Sequence, residues 1–541
     1  MKGRNYGSAN DDNIDVAPHS VDIKHSIQSK ARESGGSSSS TEAAVNLTKL
    51  CIGSGILALP YAVQKGGLLL SPIFLALIAW WNYFSCIQMI ECKHACVDKF
   101  VPSSISSTYS RIAYCASGSW GVWITDSCII ITLLGVCVTF VITFSTLLRS
   151  VPGGDILTTS QWAAVSAVLT FPACCSRDVS KLVKYSFLGL LCLLVGMCAI
   201  SVFGVQLYGT AAMQTMQSVW DLPLWPATLA DFATFIGIAT FGYGTCSLAF
   251  PVEESMAFPQ EFPKAAQWAL VFVWGVYAVV GDVLAVLFVH DPHGVASNIL
   301  RNLPLDAYSA HIVKLCMCAA CLLTFPLTFI PGAQMLERLL RQELMSLSQL
   351  VGNTPVAQSN NGAHSAEYEL NQNVVAIEKV LVGGLEAGQL TEASRLLLRD
   401  ADGSALQPSS LRPEESDTTH SEGNNGENDV NTIPNNARIV HRLILVLMLQ
   451  FISAHVPCFG LVVSLLGCFT VSILSFVLPP LFSLRIISAK AVDDRISESS
   501  DVAAGSYRRD LLLLILGLLT TVVATAIVIM QSIQSLSLEE C

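Results

Sequence analysis

Charge is scarce in this 541-residue sequence: Asp, Glu, Lys and Arg together make up only 13%. Soluble domains average about 25%, so a water-facing globular chain is excluded. The first forty residues lack the apolar core of a cleavable signal peptide; they are polar and Ser-rich. They read as a cytosolic tail, which leaves the first apolar segment to act as the insertion signal. Regular ligand spacing is missing too. The 18 cysteines are scattered through apolar stretches, as at Cys128, Cys137, Cys192 and Cys198, and do not form a disulfide framework. Cys316-x-Cys318-x-x-Cys321 has no accompanying histidine and reads as small-residue packing. No nucleophile–base pair, phosphate loop or metal-ligand cluster is visible, so the chain is not expected to be an enzyme. No cofactor, metal ion or nucleic-acid partner is expected either. No polar stripe runs continuously along a span, which speaks against a channel.

What the sequence has in abundance is apolar: 52% hydrophobic residues and a mean hydropathy of +0.54. About twenty apolar residues cross the hydrocarbon core of a bilayer. That length divides the chain into roughly eleven spans, near 44–64, 68–92, 120–148, 160–175, 182–208, 229–251, 267–290, 310–335, 439–457, 459–486 and 511–532. The fourth is short and the tenth long. The expected fold is an all-α polytopic membrane protein, with the lipid bilayer as its surroundings. An odd number of spans puts the two ends of the chain on opposite sides, and basic loop residues choose the orientation. With residues 1–42 as a cytosolic tail, inner segments receive Lys93, Lys99, Arg111, Arg177, Lys181, Lys184, Lys264, Arg338 and Arg341, then Arg438, Arg442, Arg485, Lys490, Arg508 and Arg509. Outer loops keep Lys65, Arg149, Arg301 and Lys314, and the outer tail 536–541 has none. Asn46-Leu47-Thr48, a formal glycosylation site, falls inside the first span and is not expected to be modified.

Spans one to eight occupy 43–341 and spans nine to eleven 438–535. Between them, 342–437 is rich in Ser, Asn, Glu and Gly and carries most of the net charge of −11. It reads as a disordered, acidic, cytosolic insert. Within it, Val374 to Leu398 has the composition of a short amphipathic helix, interrupted at Gly383-Gly384. Glu392-Ala393-Ser394-Arg395-Leu396-Leu397 is similar to acidic-dileucine signals for endolysosomal or vacuolar sorting, and equally fits the apolar face of that helix.

Two of the apolar segments are interrupted alike. Leu47–Tyr61 is broken by Gly53-Ser54-Gly55 and then Pro60; Phe232–Pro251 is broken by Gly242-Tyr243-Gly244 and closed by Pro251. Hydrocarbon offers no water to an unpaired backbone group, so an unwound point inside a span is expected where it lines a cavity. The half-helix before such a point ends in free carbonyls; the half-helix after it opens with free N–H groups. The N–H groups and the positive end of the dipole suit a carboxylate, and the carbonyls suit an ammonium group or a small cation. An amino acid needs both, close together. Glycines at 53, 55, 242 and 244 are expected to permit unusual backbone angles and a close approach.

The flanking residues sharpen this reading. Asn46-Leu47, Ile52-Gly53-Ser54-Gly55-Ile56-Leu57-Ala58-Leu59-Pro60-Tyr61-Ala62 resembles the first helix of the amino acid/auxin permease family. Phe241-Gly242-Tyr243-Gly244, then Pro251, Glu254, Met256, Pro259, Phe262 and Pro263, resembles its sixth helix and the following loop. Gly135-Val136-Cys137, Phe325-Pro326-Leu327 with Pro331, and Gly460-Leu461-Val462 through Gly467 to Phe476, Pro479 and Pro480 are similar to its third, eighth and tenth. The likeness runs from about 43 to 535, apart from the insert. It implies a LeuT-like core of two inverted five-helix repeats, with helices one and six broken, plus one extra helix. It also implies amino acid transport coupled to protons or sodium. Carried over by position, the backbone at Gly53, Ser54 and Gly55 holds the substrate carboxylate, and Phe241, Gly242, Tyr243, Gly244 and Thr245 line the ammonium and side-chain region. Thr324 falls where sodium-coupled branches offer a hydroxyl to the ion. The chain departs from proton-coupled relatives at Gly244-Thr245, where many carry Glu-Gly, and it lacks the nearby histidine of sodium-coupled ones.

Ionisable residues inside spans are costly and are functional candidates by default. Asp126 in the third span and Asp282 in the seventh stand out as ion-coupling candidates; Asp282 lies two turns before His290. Glu253 and Glu254 are expected at the inner end of the sixth span, organising a cytosolic gate. Tyr61, Gln64 and Lys65 read as interfacial anchors. The expected function is secondary-active amino acid transport by alternating access, at a vacuolar, lysosomal or plasma membrane, with a proton favoured over sodium as coupling ion. The alternative is an amino acid sensor signalling through the insert.

Overall fold

The computed structural model describes residues 37–97, 99–102, 105, 107–176, 180–209, 222–244, 246, 249–291, 294–304, 307–352, 435–456, 458–493 and 500–537. Thr245, the predicted helix 374–398 and the 392–397 sorting pattern lie outside them. Residues 1–336 with 436–541 form one compact unit and 337–435 a second, in which helix up to Gly352 is described.

Helix accounts for nearly all of the described chain, and each predicted span falls on it. α1 (Ser40–Cys51) begins with a capping box: Glu42 N–H donates to Ser39 Oγ at 3.3 Å, and Ser39 N–H returns to the Glu42 carboxylate at 2.9 Å. A 3₁₀ turn, Ser54–Ala58, leads into α2 (Leu59–Gly66), with Pro60 in the first turn where no N–H is needed. The axis bends by 51° between α1 and the half running from Ser54 to Gly66. Gly67 ends α2 with φ +89°, and a side chain there would collide with the Leu224 carbonyl at 2.5 Å.

The following spans are α3 (Leu70–Ala95), α4 (Thr108–Arg149), α5 (Thr159–Cys174), α6 (Ser180–Gly204), α7 (Leu229–Gly242) with its short continuation α8 (Ala249–Glu254), α9 (Phe262–Phe288) and α10 (Tyr308–Gly352). After the insert come α11 (Asn435–His455), α12 (Phe459–Leu466) joined by two π turns to α13 (Leu478–Asp493), and α14 (Ser500–Ser537). Among the described residues, seven helices are long and apolar enough to cross a bilayer unaided, and the bent first pair makes eight. α5 has 16 residues, about 24 Å at 1.5 Å per residue, short of the roughly 30 Å hydrocarbon core. Its end is finished by the buried Arg442 of α11, which donates to the carbonyls of Cys174 and Ser176 at 2.8 Å each.

The third span was expected to start near 120, and the helix from Thr108 indeed turns at Gly118, φ +63°. The residues before Gly118 form a separate helical segment that the span reading did not anticipate, with Tyr109, Ser110, Ile112 and Ala113 buried. Tyr109 is buried there and donates to the Leu474 carbonyl at 2.6 Å.

Of the seven long spans among the described residues, the tenth is the most buried. In Phe459–Ile487, 72% of the apolar window is buried, against 28% in Tyr507–Gln534 of α14, which therefore faces lipid. Interior packing between spans depends on small residues, because lipid competes equally well for large apolar ones. Gly467 illustrates this: a Cβ there would lie 1.8 Å from the Gly237 carbonyl oxygen. The tenth span thus rests backbone-to-backbone on α7, and its π turns begin at that contact.

Candidate functional site

The two interruptions meet. α1 stops at Cys51, Ile52 swings out of helix at ψ 87°, and Gly53 is extended at φ −124°, ψ −155°. α7 stops at Gly242, and Tyr243 caps it at φ −101°, ψ 17°. A Cβ on Gly55 would lie 3.0 Å from Phe241 Cδ1 and 3.4 Å from Gly242 Cα, so the second half of the first span touches the end of α7. The opening residues of the turn 54–58 have no helical acceptor for their N–H groups, and Cys51 and Gly242 are the last residues of their half-helices. Donors and acceptors of opposite polarity are therefore gathered at one level of the bundle.

The glycines do part of what the sequence suggested. None at the breaks has a left-handed φ; among the described glycines positive φ is confined to Gly67, Gly118, Gly153 and Gly294. The expectation of unusual angles at 53, 55, 242 and 244 is corrected accordingly: close approach is what these positions need. Gly242 lies under the Tyr277 ring, 2.9 Å from its would-be Cβ, and Gly244 lies 3.1 Å from Val471 Cγ1 in the same sense. Gly53 differs, since a Cβ there meets nothing within 4 Å. The space beside its backbone is open.

Around this centre stand groups that the sequence did not single out. Tyr277 of α9 is fully buried and donates to the Cys51 carbonyl at 2.7 Å and to the Gly242 carbonyl at 3.0 Å. Its ring meets that of Tyr243 edge-on, centroids 5.2 Å apart. Val471 comes from the tenth span. Thr132 of α4 donates to Thr470 at 2.7 Å, and Gly135 makes room for Leu466, 2.4 Å from its would-be Cβ. A signal for Tyr277 existed: a tyrosine in mid-span has a polar tip that must find a partner when buried.

Ion pairs mark both ends of the broken pair. Lys65, at the end of α2, meets Asp231 in the first turn of α7 at 2.9 Å and also lies over the Tyr61 ring. Tyr61 packs inward, its ring 3.4 Å from the would-be Cβ of Gly460. At the other end Lys93 of α3 bridges Glu253 at 2.5 Å and Glu254 at 2.9 Å. There the segment before α1 is strapped to the loop after α8: Ser38 N–H donates to Ser255 O at 3.0 Å and Ala257 N–H to Ser38 O at 2.9 Å.

The ion-coupling candidates are spread out. Asp282 sits in α9, five residues beyond Tyr277, and its Oδ1 is buried without a hydrogen-bond partner among the described residues. Its neighbour Gly281 packs on Val63 of α2. Asp126 accepts from Ser110, across the turn at Gly118. Thr324 donates to the Ala320 carbonyl at 2.8 Å and faces Gly189 of α6, whose would-be Cβ is 2.7 Å from the hydroxyl oxygen.

The whole bundle, residues 36–530, matches the family described as transmembrane amino acid transporter protein. The chain belongs to that family. It is therefore a multi-pass membrane protein of a transporter family, not of an enzyme family. Among curated relatives it is 25% identical over 315 residues to vacuolar amino acid transporter 4 of Saccharomyces cerevisiae, covering 56% of this chain and 41% of that protein. It is 26% identical over 372 residues to putative sodium-coupled neutral amino acid transporter 11 of Danio rerio, covering 64% and 76%. It is 26% identical over 312 residues to the vesicular inhibitory amino acid transporter of Xenopus tropicalis, covering 56% and 57%. The match thus spans less than half the length of the yeast relative. A solved manganese transporter mutant from Eremococcus coleocola overlays at a TM-score of 0.36 with 13% identity, covering 90% of this chain and 95% of that one. An overlay of that quality carries no weight.

Proposed function

We propose that this protein moves an amino acid across a membrane by alternating access, with the two breaks as its binding site. The observation that carries the reading is the meeting of Gly55 with Phe241 and Gly242, which sets the N–H end of one half-helix beside the carbonyl ends of two others. The N–H groups at Ser54 and Gly55, beside the extended Gly53, take the carboxylate, whose negative charge suits the start of a helix; the Gly53 N–H itself is held by the Cys51 carbonyl at 2.9 Å. The carbonyls of Cys51 and Gly242 take the ammonium. Phe241, Tyr243, Gly244 and Thr245 border the side chain and select it by shape.

The Lys65–Asp231 pair and the Lys93–Glu253–Glu254 cluster with its Ser38 strap act as the outer and inner gates. Access alternates as one set loosens and the other holds. Transport is ion-coupled, with a proton preferred over sodium: Asp282 is a carboxyl in mid-span with an unsatisfied oxygen, close in sequence to Tyr277. The names of the relatives support a vacuolar or vesicular membrane, and the loop charges a cytosolic N-terminal side. No observation among the described residues favours the sensor reading.

The test is uptake into proteoliposomes across a panel of amino acids, with pH and sodium gradients imposed separately. Saturable uptake driven by the pH gradient is expected. Absence of uptake for every amino acid removes the proposal, and dependence on sodium alone removes its proton-coupled form.

A further inference from the structure

Tyr277 holds a position that transport by two broken helices does not by itself require. Its single hydroxyl is within hydrogen-bond distance of two carbonyls, Cys51 and Gly242, 226 and 35 residues away in sequence. Each is the last residue of a half-helix that stops at a break. A phenol has one proton to donate, so it shares that proton between the two oxygens and satisfies neither of them in full. The Cys51 carbonyl also accepts from Gly53 N–H at 2.9 Å, which ties the same point to the start of the extended residue. The ring cannot drift: it lies over Gly242, whose missing side chain gives it room, and against the edge of Tyr243.

We propose that Tyr277 is a positioning residue that holds the carbonyl ends of α1 and α7 in register, so that both face the substrate ammonium together. An ammonium brings three donors to acceptors that the phenol only partly satisfies. The hydroxyl therefore prepares the ammonium half of the site, while the carboxylate half, at the N–H groups of Ser54 and Gly55, has no contact with it. This rests on the transport reading above.

The experiment compares the wild type with Tyr277→Phe in proteoliposomes. It measures KM for the transported amino acid and the inhibition constant of the same molecule without its amino group. Phenylalanine keeps the ring and removes only the hydroxyl. Loss of one hydrogen-bonding group predicts a rise in KM of about tenfold, while inhibition by the des-amino acid stays within about twofold. Gly242→Ala, which pushes the ring aside and keeps the hydroxyl, is expected to shift KM in the same selective way, and it carries the comparison if Tyr277→Phe does not reach the membrane. An unchanged KM, or equal weakening of amino acid and des-amino acid, overturns the role of Tyr277 while the transport reading stands. Lack of any amino acid uptake by the wild type overturns the transport reading and this role with it.

Discussion

Replacing Gly53 by alanine separates folding from binding more cleanly than any other change in the site. Its backbone is extended at φ −124°, a region open to every residue, and a Cβ there meets nothing within 4 Å. The fold therefore has no reason to object. Alanine also restricts the unfolded chain, so stability is expected to rise by about 0.4–1 kcal/mol. The methyl group nevertheless enters the open space beside the N–H groups at the start of the 54–58 turn, where the carboxylate is placed. If it costs the substrate one charge-assisted hydrogen bond, the penalty is about 1.5–3 kcal/mol, a KM roughly 10- to 100-fold higher. The assay is concentration-dependent uptake in proteoliposomes, paired with thermal unfolding of the purified protein in detergent. A KM within twofold of wild type, with stability unchanged or raised, refutes the placement of the carboxylate in the space beside Gly53. A fall in stability refutes the structural premise that the space is empty.

Other outcomes follow from neighbouring contacts. Gly467→Ala puts a methyl 1.8 Å from the Gly237 carbonyl; neither backbone can yield, so the cost reaches or exceeds about 3 kcal/mol and membrane-inserted protein should be lost, whereas Gly275→Ala, with nothing within 4 Å, should be tolerated in expression and thermal midpoint. Lys93→Met leaves the buried Glu253 carboxylate with only the more distant His94, at 3.8 Å, and should lower the thermal midpoint, and adding Glu253→Gln should recover much of the loss because the buried charge is gone. Asp282→Asn keeps the shape and removes the proton exchange: amino acid counterflow should persist while stimulation by a pH gradient disappears. Persistence of that stimulation would move the coupling elsewhere.

The broken helices were readable because glycine and proline punctuate otherwise apolar runs, and hydrocarbon leaves few reasons for such punctuation. Helix positions were readable for the same reason, down to the shortness of α5. The turn at Gly118 was not, because a glycine at the edge of an apolar run resembles any small packing residue until its φ is known. Tyr277 bridges Cys51 and Gly242, and Lys93 bridges Glu253 and Glu254; these partners come from distant elements, and periodicity along one helix carries no information about its neighbours. The breaks themselves held a subtler lesson. Glycine there suggested special dihedrals, but Gly55, Gly242 and Gly244 provide room for Phe241, Tyr277 and Val471. Thr324, assigned by position alone, has its hydroxyl turned back on its own helix at Ala320 and faces Gly189.

The central claim is that the two breaks together form an amino acid site. A cryo-electron microscopy map of the protein in lipid nanodiscs, saturated with a transported amino acid, tests it most directly. Ligand density is expected between the 53–55 backbone and Gly242, with the carboxylate on the N–H groups and the ammonium on the carbonyls of Cys51 and Gly242. Density for the same ligand elsewhere, with the space beside Gly53 still empty, would contradict it.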